Sequence, residues 1–373
     1  MADLDAFDPA AEADVASFVR TLQGPWGPID TRIGAGDEMY AFEHSGIRSA
    51  GAAATAYFFT GHQLFGILED VVRWRFGGFA QVGEFLDFAS GFGRVTRFFV
   101  RALSPGRVVV AEIDPAAVAF QEAAFGVRGI VSATDPSAFT TGGRRFDLVL
   151  VSSLFSHLPP HRFEQWLRVL YAALKPSGVL AFSVHGLGLI EDGGVDKSSG
   201  FVFAPVSETS RLEKAEYGSA YVSEQRVHEL VRGAVGGDAR LFSAPLTFGV
   251  QDLYLLVRPP VPDLPGPGLP RPPSGAIDFA DIVDGVVSAE GWVKGSRDEA
   301  APTVRLFLKE RPGRVEPLPA DVPGMGRWRF RFPVDAVGPD GLVRIEAESA
   351  RGRPGLIFVG SLRPYLERAG RSD

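Results

Sequence analysis

Short apolar runs alternate with amphipathic segments between residues 82 and 184, and this alternation constrains the fold more than any other feature. The strand-like runs are Val82–Phe88, Arg107–Glu112, Gly129–Ser132, Phe146–Ser152 and Gly178–Val184. Apolar residues at helical spacing lie between the strands in Arg94–Leu103, Pro115–Phe125 and His161–Leu174. Strands that alternate with helices of this length form a parallel sheet covered by helices on both faces. The sequence therefore predicts a doubly wound, Rossmann-like α/β sheet.

The segments on either side of this alternation extend the prediction. Apolar residues at helical spacing predict helices in Ala10–Gln23 and near residues 52–76, so we expect an N-terminal helical cap over residues 1–78. The α/β domain is expected to cover residues 79–258. A helix near Ser223–Val235 and strands at Ala239–Ser243 and Asp252–Arg258 complete it. Residues 186–222 show little periodicity, and an insertion of this length is typical of a lid or a binding loop.

A proline-rich stretch marks the next boundary. Eight of the fifteen residues from Pro259 to Pro273 are proline, so we expect a semi-rigid linker over residues 259–274. Beyond it, strand-like pieces such as Ile277–Val287 and Trp328–Phe332 are divided by Gly, Pro and Asp turns. The pattern predicts a small accessory β-sandwich over residues 275–373.

Composition narrows the range of partners. Hydrophobic residues make up 45% of the 373 residues, as in a globular protein. The net charge is −7, so the composition predicts no broad positive surface for a nucleic-acid backbone. The chain has no cysteine, which excludes a thiolate metal site, and we expect no metal. No apolar run approaches the roughly 20 residues that span a bilayer, and the N-terminus lacks the features of a secretory signal. We therefore expect a cytoplasmic protein without a membrane span, in which the β domain is a candidate surface for homo-oligomer contacts.

The segment Asp87–Gly93 (DFASGFG) follows the first predicted strand and is the strongest candidate for a ligand site. Gly91 and Gly93 let the backbone approach a ligand closely, and Arg94 opens a helix whose N-terminus favours a carboxylate. Taken alone, a glycine-rich turn is equally consistent with a plain tight turn.

Two further residues distinguish between possible ligands. Glu112 lies 25 residues beyond Asp87 at the end of the second strand, where a carboxylate can bind a ribose diol. A dinucleotide fingerprint would place a third glycine at position 96, but Thr96 stands there, and Asp87 would repel a pyrophosphate. An acid at this position suits a cationic group such as the amine of a methionine moiety. The turn therefore favours a methyl donor over a nicotinamide dinucleotide.

Several motifs in order resemble those of the class I methyltransferases, and in particular a bacterial subgroup often associated with glycan assembly. They are the turn Asp87–Val95, then Ser153–Pro159, Trp166-Leu167, Leu174–Gly178, Ser183–Gly186 and Gln251–Tyr254. The resemblance covers about residues 57–258 and implies S-adenosyl-L-methionine (SAM) as the cofactor. The chain departs from the usual pattern at Ala89 and Ser177, where the family more often has glycine. Ala89 costs little stability if its φ is negative.

The resemblance also implies which residues bind the cofactor. Asp87, Gly91 and Gly93 would surround the methionine part, Glu112 would bind the ribose, and Ile113 would pack on the adenine. The complete set of predicted cofactor-binding residues is Asp87, Ala89, Gly91, Phe92, Gly93, Glu112, Ile113, Asp135 and Ser152. Asp135 is the candidate for the edge of the adenine, although its surroundings do not align cleanly with the family.

Histidines follow the fourth and fifth predicted strands, at the edge of the sheet where α/β domains bind ligands. A hydroxyl acceptor needs a base, and His157 or His185 can accept a proton near neutral pH. His157 is equally explained as a residue that fixes the loop before a helix. Asp252, at the start of the last strand, is a third catalytic candidate and is otherwise a turn residue.

Aromatic and amide side chains are candidates for acceptor contacts: Tyr57, Tyr217, Tyr221 and Gln251. Tyr57 in the N-terminal helical region could close over a sulfonium through a cation–π contact, or it belongs to the core. Trp292 and Trp328 in the β domain either stack on a sugar or form the core of the sandwich.

These residues lead to one main functional hypothesis and two alternatives. The first is a SAM-dependent O-methyltransferase that acts on a sugar hydroxyl of a glycan or a glycosylated metabolite. The second is a methyltransferase that tailors a polyketide or peptide natural product, which an apolar acceptor cavity would indicate. The third is a non-catalytic scaffold that binds a glycan or a protein.

Overall fold

The computed structural model describes residues 6–47, 49–191, 194–206, 212–261, 265–295, 300–320, 322–338, 341–350 and 354–361. Parts of the predicted insertion, linker and β domain lie outside these residues. The chain forms two compact units. Unit 1 combines Met1–Gly66 with Pro270–Asp373, and unit 2 is Ile67–Leu269. The N-terminal helical segment is thus grouped with the C-terminal strands, although the two are far apart in sequence.

Helices and strands follow one another in the expected order. The α-helices of the described residues are α1 (Ala13–Thr21), α2 (Glu38–Ile47), α3 (Ala50–Phe76), α4 (Thr96–Leu103), α5 (Pro115–Phe125), α6 (Pro160–Ala172) and α7 (Glu224–Val235). Single-turn 3-10 helices lie at Pro9–Ala11, Gly24–Trp26, Phe79–Gln81, Pro105–Arg107, Pro136–Ala138, Leu187–Leu189 and Val334–Ala336. No helix in the described part of the chain is long and apolar enough to cross a membrane.

The strands fall into two groups along the chain. The first group is β1 (Ala6–Phe7), β2 (Ile33–Gly34), β3 (Phe85–Phe88), β4 (Val108–Glu112), β5 (Arg128–Val131), β6 (Phe146–Val151), β7 (Leu174–Gly186), β8 (Phe201–Ala204), β9 (Ser219–Val222), β10 (Arg240–Phe248) and β11 (Gln251–Val257). The second is β12 (Ser274–Val283), β13 (Val286–Lys294), β14 (Thr303–Leu308), β15 (Arg311–Gly313), β16 (Glu316–Leu318), β17 (Met325–Pro333), β18 (Leu342–Glu348) and β19 (Pro354–Ser361).

Unit 2 is built on a mixed sheet with the order β10-β11-β7-β6-β3-β4-β5. Strands β3 to β7 pair in parallel, and β11 runs antiparallel to both β7 and β10. Because helices cover both faces of a parallel sheet, its central strands read as continuous apolar runs, and β3 and β6 are almost entirely buried. The Rossmann-like prediction is confirmed, and the last strand, β11, lies within the sheet in the antiparallel direction.

Local sequence signals explain where the helices of this sheet begin and end. Asp114 caps α5 by accepting a hydrogen bond from the Ala116 N–H, and Gly126 ends it in the left-handed conformation. Ser223 caps α7 in the same way. The apolar face of α6 then packs on the sheet, where Trp166 lies 4.7 Å from Phe88 between ring centroids.

The insertion contains more regular structure than its sequence suggests. Strands β8 and β9 form an antiparallel pair, and β9 joins the end of β7 in parallel, with Tyr221 opposite His185. These strands were not predicted, because each is four residues long and owes its position to pairing with β7 rather than to a strong local pattern. The described part of the insertion is therefore an extension of the sheet.

In unit 1 the C-terminal strands form two four-stranded sheets, β12-β13-β17-β16 and β15-β14-β18-β19. They share one apolar core that includes Val293, Leu306, Trp328 and Ile345, as expected for a β-sandwich. One predicted strand was wrong: Ile277–Val287 is a hairpin whose turn is Asp284-Gly285, with both residues at positive φ. An Asp-Gly pair is a strong hairpin signal that the strand prediction overlooked.

The N-terminal helices of unit 1 pack on these strands. Ala52 and Ala56 of α3 lie in one buried cluster with Leu342 and Val359. The guanidinium of Arg344, almost fully buried, pairs with two glutamates, which offsets the cost of burying its charge.

Candidate cofactor and acceptor site

The turn after β3 adopts a conformation that suits close approach to a ligand. Gly91 has φ of 54° and Gly93 has φ of 78°. A Cβ atom on Gly93 would lie 2.4 Å from Phe125 and 2.7 Å from Gln121, so glycine is required there. A Cβ atom on Gly91 would have no neighbour within 4 Å, so this face of the turn is open.

Ala89 differs from the expectation of a negative φ. Its φ is 56°, in the left-handed region where an alanine costs roughly 1–2 kcal/mol relative to the right-handed region. Its N–H donates a 2.8 Å hydrogen bond to the Ala111 carbonyl, which holds the turn against β4. Ser177, the other departure from the family pattern, also has positive φ, at 66°. Both departures therefore place a side chain where glycine is favoured.

The Asp87 carboxyl is buried beneath this turn. Only 2% of the residue is exposed, and burial raises its pKa to about 7. The Thr96 hydroxyl donates a 2.6 Å hydrogen bond to Oδ2, which opposes the shift, while the nearby Glu112 adds to it. Thr96, which breaks the dinucleotide pattern, thus has a definite structural role.

Glu112 closes β4 and is held by backbone donors. Its Oε2 accepts a 2.8 Å hydrogen bond from the Gly91 N–H, and its Oε1 accepts bonds from Ile113 and Asp114 at 2.7 and 3.3 Å. Burial nevertheless raises its pKa, since the backbone bonds offset only part of the desolvation. Because each carboxylate oxygen has two lone pairs, acceptor capacity remains on Oε2 for a ligand hydroxyl.

Two residues brace the turn that were not predicted as part of the site. Gln121 of α5 donates 2.8 Å hydrogen bonds from Nε2 to the Ser90 hydroxyl and to the Gly91 carbonyl. Arg97 of α4, fully buried, donates from Nε to the Gly93 carbonyl at 3.2 Å. A long polar side chain on the apolar face of a helix was the available sequence signal for both.

The remaining predicted cofactor residues lie where the strands of the same sheet end. Phe92 packs on Phe120, with ring centroids 5.6 Å apart, while Ile113 and Ser152 are half-buried directly after β4 and β6. Asp135 is exposed and caps the short helix that begins at Pro136. Its hydrogen bonds to Ser137 hold its pKa below the usual range.

The chemistry of these groups fits SAM. Asp87 and Glu112 form no ion pair with a cationic side chain among the described residues, and their raised pKa values show that their hydrogen bonds offset only part of the cost of burial. A ligand with a cationic amine and a ribose diol would supply what both carboxylates lack. When bound, SAM supplies an electrophilic methyl group on its sulfonium. Asp87 is suited to the amine and Glu112 to the diol.

His157 lies in the loop after β6, on the edge of the sheet where the parallel strands end. Its Nδ1 is 2.8 Å from the Gly218 carbonyl oxygen. A carbonyl oxygen only accepts hydrogen bonds, so Nδ1 carries the proton and, in the neutral ring, Nε2 carries the lone pair. The ring stacks on Tyr217 at 4.7 Å. The insertion thus orients His157 from both its edge and its face.

His185 lies near the end of β7, with its ring centroid 6.2 Å from that of His157. Tyr221 on the neighbouring β9 stacks on it at 5.4 Å, and the amide of Gln251 on β11 lies 3.2 Å from its Nε2. Burial lowers the pKa of His185 to about 4, and the neighbouring His157 adds to this shift. His185 is therefore neutral at physiological pH.

Three serines that the sequence did not single out surround this group. Ser153 has a φ of 62°. Its backbone N–H donates a 2.9 Å hydrogen bond to Oγ of the buried Ser183. The Ser153 hydroxyl contacts the Gln251 amide, and the Ser156 hydroxyl donates a 2.6 Å hydrogen bond to the Ser153 carbonyl. Backbone strain of this kind persists only where surrounding contacts impose it, and it often marks functional sites.

Asp252 and Tyr57, the remaining catalytic and acceptor candidates, each make a hydrogen bond of a structural kind. The Asp252 carboxylate accepts a 2.8 Å hydrogen bond from the Leu246 N–H, as expected of a residue that fixes a turn. Successive residues of a strand face opposite sides, so Asp252 points away from the side that carries Gln251. Tyr57 is fully buried in unit 1 and donates a 2.6 Å hydrogen bond to Asp37.

The two tryptophans of the β domain differ in exposure. Trp328 is buried in the sandwich core, whereas Trp292 is half-buried. The described residues contain no group of three or more His, Asp or Glu side chains arranged to hold a metal ion.

Residues 86–180 match the model of a family described as a methyltransferase domain. No curated protein sequence matches the chain. This segment holds the turn after β3, Glu112 and the loop with His157. The match, together with the two buried carboxylates, supports a SAM-dependent methyltransferase with S-adenosyl-L-methionine as its cofactor.

Several solved structures are also similar to the chain, at low identity. SAM-bound CalS10 from Micromonospora echinaspora, an amino pentose methyltransferase involved in calicheamicin biosynthesis, is 15% identical, with a TM-score of 0.39 over 52% of this chain and 89% of that one. The plantazolicin methyltransferase BpumL is 11% identical, with a TM-score of 0.42 over 66% and 95%. DesVI from Streptomyces venezuelae is 15% identical, with a TM-score of 0.40 over 53% and 92%.

Proposed function

We propose that this protein is an O-methyltransferase that transfers the methyl group of SAM to a hydroxyl of a sugar, in a glycan or a glycosylated small molecule. The observation that carries the proposal is the arrangement of His157. The Gly218 carbonyl holds the Nδ1 proton, so in the neutral ring Nε2 is the nitrogen that accepts a proton. Methylation of a hydroxyl requires such a base, because the oxygen must lose its proton as it forms the new bond.

The surroundings of His157 support a polar acceptor. The rings of Tyr217 and Tyr221, both half-buried, stack on the two histidines. The amide of Gln251 and the hydroxyl of Ser153 add hydrogen-bonding groups. Aromatic faces beside hydrogen-bonding groups suit the apolar face and the hydroxyls of a sugar ring.

In the proposed reaction the protein mainly positions and deprotonates the acceptor. Alignment of the hydroxyl with the methyl group can lower the barrier by about 7–11 kcal/mol. Proton acceptance by Nε2 of His157 contributes a further factor of roughly 10² to 10⁴ in rate. The proton leaves the acceptor hydroxyl, the C–O bond forms, and the C–S bond of the donor breaks.

The proposal is tested by turnover with defined acceptors. Purified protein is incubated with SAM and a panel of nucleotide sugars, simple glycosides, glycosylated aglycones and the free aglycones, and methylated products are identified by mass spectrometry. We expect O-methylation of the sugar in the glycosylated members. Methylation of the free aglycones alone would instead indicate a natural-product tailoring enzyme, and N-methylation would contradict the proposed hydroxyl chemistry.

The role of His157 is tested with the acceptor that this panel identifies. His157→Ala should lower kcat by roughly 10² to 10⁴ and leave the affinity for SAM, measured by calorimetry, unchanged. The matched control is His228→Ala, because His228 lies on the exposed side of α7. Unchanged turnover in His157→Ala would remove His157 from the role of base. If the wild-type protein does not bind SAM, the non-catalytic alternative replaces the proposal.

A further inference from the structure

The amide group of Gln251 occupies a central position among the polar side chains at this edge of the sheet. Gln251 is 8% exposed, and its Nε2 lies 3.1 Å from the Ser153 hydroxyl, 3.5 Å from the Ser156 hydroxyl and 3.2 Å from Nε2 of His185. The orientation of this amide decides whether it donates a hydrogen bond to His185 or accepts one from it.

The hydrogen bond of Ser156 determines that orientation. The Ser156 hydroxyl donates its only proton to the Ser153 carbonyl at 2.6 Å, and a carbonyl oxygen cannot donate one in return. Ser156 therefore presents only lone pairs to Gln251, so the group that faces it must be the NH2 rather than the oxygen. The same NH2 group faces His185.

The protonation of His185 follows from this orientation. Its Nε2 must accept the hydrogen bond from Gln251, so in the neutral ring the proton lies on Nδ1. That Nδ1 is buried and has no hydrogen-bond partner among the residues that the structure describes. The lone pair on Nε2 of His185 thus accepts a hydrogen bond from Gln251. In the neutral ring of His157 the lone pair is also on Nε2, because Nδ1 donates to the Gly218 carbonyl.

We propose that Gln251 is a positioning residue that holds His185 as the neutral Nδ1–H tautomer and so reserves proton acceptance in this pair for His157. The titratable groups around His185 agree with this assignment. His157 and Tyr221 face its ring, and the carboxylate of Asp252 is engaged with the Leu246 N–H on the other side of β11. The last part of the proposal, the role of His157, rests on the proposed function, but the tautomer does not.

Nitrogen NMR of the full-length protein labelled with ¹⁵N-histidine tests the tautomer directly, without SAM or acceptor. The two ring nitrogens of a neutral histidine have clearly different shifts, and His157→Asn and His185→Asn assign the two residues. We expect both rings to be protonated at Nδ1 near pH 7.5. A spectrum in which His185 is protonated at Nε2 would overturn the proposal.

The variant Gln251→Glu tests the role of the amide. A carboxylate cannot donate to Nε2, so His185 should become protonated there, and kcat should fall by at least roughly tenfold with little change in SAM affinity. Gln225→Glu on the exposed face of α7 is the matched control and should change neither property. A Gln251→Glu protein that keeps the Nδ1–H tautomer would also contradict the proposal.

The outcomes separate this proposal from the proposed function. If the tautomers are as expected but no acceptor is methylated, the assignment of Gln251 to His185 stands and the O-methyltransferase proposal fails. If sugar methylation is found and His185 carries its proton on Nε2, the reverse holds. Should Gln251→Glu fail to fold, the wild-type spectrum alone decides the tautomer.

Discussion

The donor side and the acceptor side of this site are built in different ways. The donor side consists of one turn, Asp87–Gly93, and Glu112 on the next strand, and its contacts are largely to backbone N–H and C=O groups. The acceptor side consists of side chains from four separate segments. They are Ser153 to His157, Ser183 to His185, Tyr217 to Tyr221 and Gln251. A local motif identifies the donor, whereas the acceptor side exists only after the sheet has formed.

Burial also shifts pKa values in opposite directions in the two regions. It raises the pKa of Asp87 and Glu112 on the donor side and lowers the pKa of His185 on the acceptor side. In each case burial disfavours the charged form. The donor side is thus prepared to gain from a cationic ligand, whereas His185 on the acceptor side stays neutral.

Glu112 is expected to make a strong contribution to SAM affinity. Glu112→Ala should weaken SAM binding by roughly 10 to 100-fold, because a hydrogen bond to a charged group contributes about 1.5–3 kcal/mol. Calorimetry at pH 8 measures the affinity, with Glu229→Ala on the exposed face of α7 as the control. An unchanged affinity would show that Glu112 acts only through Gly91, Ile113 and Asp114, and the comparison between the two sides would lose its main support.

Asp87 is expected to make SAM binding depend on pH. Because its pKa is about 7 in the folded protein, the carboxyl must lose a proton to meet a cationic amine. The SAM affinity should therefore fall by about tenfold for each pH unit below 7. Asp87→Asn should bind more weakly at pH 8 and show a flat profile. A wild-type affinity that is constant between pH 5.5 and 8 would contradict this assignment.

The same group has a predictable effect on stability. The Asp87 carboxyl loses its proton near its ordinary pKa of 3.8 when the chain is unfolded and near 7 when it is folded, so the folded state binds more protons between these values. The free energy of unfolding therefore decreases as the pH rises from about 4 to 7, by on the order of 4 kcal/mol in total. Asp87→Asn should unfold at a higher temperature than the wild type at pH 8, and the difference should shrink towards pH 4. The exposed Asp238→Asn should show no such dependence.

The smallest effect is expected at the two residues that replace glycine. Ala89→Gly removes the cost of a left-handed alanine, offset partly by the entropy of glycine in the unfolded chain, for a net gain of roughly 0.5–1 kcal/mol. Ser177→Gly should change stability little, because it also loses the 2.8 Å hydrogen bond from the Ser177 hydroxyl to the Pro260 carbonyl. Urea denaturation measures both. A destabilised Ala89→Gly would show that the turn is held in another conformation.

Much of the α/β domain was predictable because its signals are local. Helix α5 begins and ends where predicted, since Asp114, Pro115 and Gly126 are themselves the cap and stop signals. Strands β8 and β9 were missed because pairing with β7 determines them, and the hairpin at Asp284-Gly285 was missed because two adjoining strands were merged. The negative φ expected for Ala89 was not observed, because contacts with β4 impose the turn.

The sequence by itself determined the class of fold and the donor. Asp87, Gly91, Gly93 and Glu112 indicate the donor, and the strands that directly precede or contain these residues set their positions. Tertiary structure alone decided the acceptor side. It placed Gln251 beside His185, and Gly218 and Tyr217 beside His157, residues that are between about 60 and 66 positions apart. It also decided which nitrogen of each histidine carries the proton, since that depends on whether the group opposite donates or accepts a hydrogen bond.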